Sequence, residues 1–143
     1  AYLDGTKKRK INVSIRGNVS TWYGASAKDL NSTIIGDVGA HCAEDAMYST
    51  FSIRGNIVFH FARDAANSTF TITGDVTGWP GFIGGIRSTF KTPNKETLEK
   101  VGEYVPVGNT IIYIKPDGVE RAFPAPLTWE HFRELGIKKK YKV

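Results

Sequence analysis

Ser14-Ile15-Arg16-Gly17-Asn18-Val19 decides the fold, because the phrase returns three times at a fixed step. It recurs as Thr33-Ile34-Ile35-Gly36-Asp37-Val38, as Ser52-Ile53-Arg54-Gly55-Asn56-Ile57 and as Thr71-Ile72-Thr73-Gly74-Asp75-Val76, each 19 residues after the last. A short fixed period marks a solenoid, in which each repeat buries its apolar side only by stacking on its neighbours. Further columns hold the same phase. Seven places after each glycine stands a small residue, at Gly24, Ala43, Ala62 and Gly81, and three places on another, at Ala27, Ala46, Ala65 and Gly84.

Around each isoleucine the chain alternates. Val13, Ile15, Gly17 and Val19 interleave with Asn12, Ser14, Arg16 and Asn18, the period of a half-buried strand. A 19-residue unit is too short for a pair of packed helices, which takes roughly 33 residues in helical arrays. The expectation is therefore an all-β fold, a right-handed single-stranded parallel β-helix of about four 19-residue coils over residues 12–87. Ile15, Ile34, Ile53 and Ile72 would stack inside it, about 4.8 Å apart. Gly17, Gly36, Gly55 and Gly74 read as structural corners, where the backbone turns tightly or takes a positive φ. Asn18, Asp37, Asn56 and Asp75 follow them as turn residues that bond their own backbone.

The pattern Ile-x-Gly-Asn/Asp-Val, with its two later small columns, resembles the glycine-rich β-helix called the GXGXG domain. That domain forms the carboxyl-terminal part of the large subunit of glutamate synthase, and a similar β-helix is the C subunit of formylmethanofuran dehydrogenase. The resemblance covers residues 12–87. This chain departs from the family pattern in having Ser-Thr or Asn-Ser-Thr before the strand, and Ala27, Ala46 and Ala65 where the family has a Met column. It implies a β-helix that buttresses catalytic neighbours and holds no cofactor of its own.

After residue 87 the phase is lost. Pro93 ends what begins as another coil at Ser88-Thr89-Phe90-Lys91. Residues 92–104 read as a helix with Thr92 as N-cap, Glu96 at the capping-box position and Leu98 and Val101 on its apolar face. Residues 109–115 and 119–123 read as two strands around the Pro116-Asp117-Gly118 turn. Residues 128–135 read as a second helix, with Thr128 capping its start and Gly136 its end. The organisation expected is a β-helix with a basic N-terminal arm over 1–91 and an α/β cap (helix, hairpin, helix) with a basic tail over 92–143. Such a cap would cover the solenoid's last coil.

Composition narrows the function classes. The 143 residues are 41% hydrophobic and carry a net charge of +5. Lys7, Lys8, Arg9, Lys10, Lys138, Lys139, Lys140 and Lys142 hold eight positive charges, and without them the chain stands at −3. Charge confined to two ends, with no base-stacking surface beside it, reads as docking tails rather than as a nucleic-acid face. No run approaches the 18 apolar residues of a membrane span, and Asp4 with the run Lys7–Lys10 does not read as a secretory leader. The single cysteine, Cys42, forms no internal disulfide and reads as a small buried hydrophobe. These features point to the cytoplasm. The alternative is a secreted, glycosylated, self-assembling surface or filament solenoid, suggested by four Asn-x-Ser/Thr sequons at Asn12, Asn18, Asn31 and Asn67. The repeat accounts for Asn12 and Asn31 without glycans, because Ser/Thr precedes the ladder isoleucine in every coil.

The candidate functional column is Trp22, His41, His60 and Trp79, in equivalent places of the four repeats. Two histidines without a carboxylate or thiolate in their column make a poor metal site, so the column reads as an aromatic surface stripe and interface. Glu44, Asp45, Arg63 and Asp64 read as exposed corner charges. No nucleophile with its base and no phosphate loop opening a helix is present in the sequence, so no catalytic, cofactor-binding or metal residue is assigned and no cofactor is expected. The function expected is that of a non-catalytic scaffolding subunit or module. It would dock on catalytic protein subunits of a larger cytoplasmic redox or amidotransferase enzyme, with no membrane or nucleic-acid partner.

Overall fold

A computed structural model describes residues 10–58, 60–76 and 84–138. The main sheet runs β1 (Ile11–Arg16), β2 (Leu30–Ile35), β3 (Thr50–Ile53), β5 (Thr69–Ile72), β7 (Thr89–Thr92), β8 (Thr110–Ile114) and β9 (Glu120–Pro124). Every pairing in it is parallel except the last, β8 with β9. A second sheet pairs β4 (Arg63–Ala66) with β6 (Gly84–Ile86), also parallel. Parallel bridges Val19↔Val38, Ile57↔Val76, Lys28↔Met47 and Met47↔Ala66 mark the remaining rows. The fold is a parallel β-solenoid, as the 19-residue period requires.

The register places Ile15, Ile34, Ile53 and Ile72 in one column. Ile34, Ile53 and Ile72 are fully buried, whereas Ile15 is only half-buried. That corrects the expectation of four equivalent residues: Ile15 lies on β1, and among the described residues no strand covers its other side. Beside this column run Val13, Ser32, Phe51, Phe70, Phe90 and Ile111. The small residues in the first two places leave room for Tyr23, whose ring meets Phe51 edge-on and whose hydroxyl lies 2.8 Å from Ser32 Oγ.

Stacking continues beyond residue 87, further than the sequence phase does. β7 pairs with β5 and β8 pairs with β7. A buried polar column explains the continuity. Ser49 Oγ accepts from the Leu30 amide, Ser68 Oγ from Ser49, Ser88 Oγ from Ser68 and Asn109 Oδ1 from Ser88, at 2.9–3.3 Å. The last two steps span 20 and 21 residues instead of 19, so the pairing persists while the repeat becomes illegible.

Helix α1 (Lys95–Val101) is shorter than expected, because Thr92 closes β7 and the N-cap is Asn94, whose side chain accepts from the Glu96 amide. Helix α2 (Trp129–Glu134) has Thr128 as N-cap in a capping box closed by His131, and Gly136 takes φ +73° just beyond its end. Leu98, Val101, Phe132 and Leu135 join the isoleucine and phenylalanine columns in one continuous core. None of the described helices is long and apolar enough to cross a membrane.

The corner glycines serve two different needs. Gly17 and Gly36 have positive φ, as expected. Gly55 and Gly74 do not, and what they require is closeness: a Cβ on Gly36, Gly55 or Gly74 would collide with the carbonyl of the glycine one coil earlier. The residues after them also act between coils and not within their own turns. Asn18 Oδ1 accepts from the Asp37 amide, Asp37 Oδ1 from Asn56 and Asn56 Oδ1 from Asp75, at 2.8–2.9 Å. Asn94 Nδ2 donates to Asp75 Oδ1 and joins the cap to this ladder.

Candidate interaction surface

Trp22, His41 and His60 lie where their coils reverse direction. Left-handed backbone recurs at Trp22, Gly24 and Ser26, at His41, Ala43 and Asp45, and at His60, Ala62 and Asp64. Two tight turns in succession result, with Ala25 N donating to Trp22 O and Ala27 N to Gly24 O. A non-glycine residue in this region is normally strained by about 1–2 kcal/mol. Here the strain recurs in all three of these described coils, so it belongs to the fold and marks no individual site. The reversal also explains the small columns. Ala43, Ala46, Ala62 and Ala65 have no exposed surface, and at Gly24 a Cβ would press on the Phe51 ring.

With the small residues turned inward, the neighbouring aromatic column faces out. Trp22 and His41 stack with ring centroids 4.1 Å apart and planes 7° from parallel. His41 and His60 follow at 4.9 Å and 4°. Trp22 is 54% exposed, while both histidines are partly buried. Each such ring pair contributes about 0.5–1.5 kcal/mol beyond its buried area. The stripe is thus three flat rings held in line, the outermost an indole. Trp79, the fourth member of the column, lies outside the described residues.

Glu44 anchors the stack, and the sequence reading missed that role. Its Oε2 lies 2.6 Å from His41 Nδ1, both groups being partly buried. The bond ties the imidazole to the carboxyl group across the turn and fixes the ring plane. Spacing carried the clue, since i and i+3 meet across a turn. Arg63 pairs instead with its neighbour Asp64, at 3.8 Å between well-exposed groups, a contact of small worth.

The column is poorly shaped for a metal. Lone pairs of imidazoles lie in the ring plane, and parallel rings aim them side by side instead of at one ion. Cys42 points the other way, into the core, and burial pushes its thiol up to about 12. Among the described residues no three His, Cys, Asp or Glu side chains group as ligands would. A second exposed stripe that sequence reading passed over follows the row Lys28, Met47, Ala66, Ile86, with Met47 and Ile86 open to solvent.

Compared with family models, with curated proteins and with solved structures, the chain matches none.

Proposed function

We propose that this chain is a non-catalytic scaffolding solenoid that docks on partner proteins through the stripe Trp22–His41–His60. The observation that carries the reading is the exposed indole of Trp22, seated on a stack that Glu44 and the coil reversal hold rigid. A large aromatic fixed before binding loses little conformational freedom on contact, and tryptophan is enriched among the residues that dominate interface energies. The resemblance to the GXGXG β-helix supports a particular setting, an oxidoreductase or amidotransferase assembly in the cytoplasm where the solenoid buttresses catalytic subunits. In this reading chemistry belongs to those subunits.

Native affinity purification of the tagged chain from its source cells tests the setting. Catalytic subunits of such an enzyme, recovered in fixed stoichiometry, are the expected result. Recovery of the chain alone, at full length and folded, would contradict it.

A further inference from the structure

We infer that the C-terminal cap holds a binding site for a small organic carboxylate, in a cleft between the start of α1, the end of β8 and the last turn of α2. The inference does not rest on the docking stripe, which lies at the coil reversals. The cleft has a volume of about 450 Å³, inside the range of about 300–1,000 Å³ usual for small-molecule sites. Its apolar lining is the Tyr113 ring, Leu135 and Pro116. Tyr113 and Leu135 belong to the continuous core, so the floor of the cleft is packed from beneath.

Each wall is held by bonds already made. Lys95 is the first residue of α1, and the N-cap before it, Asn94, accepts from the Glu96 amide and donates to Asp75. In the turn after β8, Lys115 N donates to Val119 O, Gly118 N donates to Lys115 O, and Asp117 Oδ1 accepts from Val119 N. On α2, both Glu134 oxygens accept from Arg121, at 3.0 and 3.1 Å. A site built on walls fixed in advance loses little conformational freedom when a ligand enters.

The same bonds select the charge of the ligand. The carboxylates of the cleft are engaged, Glu134 by Arg121 and Asp117 by the turn, whereas the donors are not. Lys95 Nζ stands 5.7 Å from the centre of the Tyr113 ring, and a Cβ on Gly136 would lie 3.9 Å from it. This ammonium group therefore lies between the ring and the end of α2. Lys115 lines the cleft two residues beyond Tyr113, on the same side of the chain. Neither ammonium group, nor the Tyr113 hydroxyl, has a hydrogen bond or an ion pair among the described residues. With Glu134 cancelled by Arg121, the cleft keeps a small excess of positive charge. Donors without acceptors select an anion, and the small excess favours one negative charge over two. The ring, the leucine and the proline select an apolar body behind it. A carboxylate on a ring or a short hydrocarbon chain meets both demands, while an amine or a metal ion would meet two ammonium groups.

The test is a titration of the ¹⁵N-labelled 143-residue chain with phenylacetate and with hexanoate, followed by NMR. Both should shift the amide signals of Lys95, Tyr113, Lys115 and Leu135 along saturable curves. Phenylacetamide, of the same shape and uncharged, should bind about tenfold more weakly, the worth of one charged hydrogen bond. Lys95→Met and Lys115→Met remove a charge each and should weaken phenylacetate by about threefold to tenfold. Lys28→Met, on the row of Met47, should leave the affinity unchanged. The proposal is overturned if neither carboxylate gives a saturable shift at these residues, or if phenylacetamide binds as tightly as phenylacetate. It is equally overturned if both cleft variants keep the native affinity. Should those variants fail to fold, the comparison of the acid with the amide on the native chain decides. Failure on any of these counts would leave docking through Trp22 untouched.

Discussion

Ser49 Oγ accepts the amide proton of Leu30 at 3.1 Å, one coil back, and donates its own to the Met47 carbonyl at 2.9 Å. The next bond of the column, from the Ser49 amide to Ser68 Oγ, is buried, where a donor stripped of its partner cannot turn to water. Ser68 repeats the arrangement with the Ser49 amide and the Ala66 carbonyl. Ser68→Ala should therefore lower stability by about 1–3 kcal/mol, the cost of an orphaned buried donor. Chemical denaturation of the variant checks this. A loss within the few tenths of a kcal/mol usual at surface sites would mean that the column does not hold the coils together.

Gly55 and Gly17 occupy one column yet should respond differently to alanine. At Gly55 the new methyl meets the Gly36 carbonyl, backbone against backbone, and overpacking of that kind costs about 1–3 kcal/mol. At Gly17 nothing lies within 4 Å of an added Cβ, so only the left-handed φ of +126° is penalised. Thermal melts of the two variants should rank Gly55→Ala below Gly17→Ala. The reverse order would refute close coil stacking.

Ile34 is fully buried and Ile15 half-buried in the same ladder. Truncating Ile34 to alanine should cost about 2–5 kcal/mol, as in other packed interiors. Ile15→Ala should cost clearly less, and Arg16→Ala, on the outer face, should be neutral within error. Equal losses for Ile15→Ala and Ile34→Ala would show that the first coil is as enclosed as the second.

Cys42 supplies a pH signature with a definite sign. Burial raises its thiol from 9.0 to about 12 in the folded chain. Below pH 9 the thiol is protonated in both states and contributes no slope. Between 9 and 12 the unfolded chain ionises while the folded one resists, so stability should fall by up to about 1.4 kcal/mol per pH unit. Cys42→Ala should flatten that part of the profile. A thiol reagent should label Cys42 only as the chain unfolds, and fast labelling under native conditions would contradict its burial.

Repetition made the solenoid legible, because Ile34, Ile53 and Ile72 repeat their neighbours as well as themselves. Legibility ended where Ser88 and Asn109 kept the ladder but lengthened the step to 20 and 21 residues. Asn18 and Asp37 were misread as local turn residues, since a sequence shows what is adjacent in the chain and not what lies one coil above. The aromatic column was legible as a column, and Trp22, His41 and His60 do stack. Its anchor Glu44 was not, because the turn that brings it to His41 depends on left-handed backbone at residues with no special preference for it. Half-exposure of Ile15 was hidden as well, since the repeat treats every coil as interior.

The central claim, docking through the stacked stripe, is tested most directly by Trp22→Ala, measured at once for melting temperature and for retention in the native assembly. Trp22 is 54% exposed, so its removal should leave the melting temperature within a few degrees of the parent. The same substitution should weaken partner binding by about 2 kcal/mol or more, roughly thirtyfold. A variant that melts much earlier while keeping its place in the assembly would contradict the account, because the indole would then support the fold and not the partner.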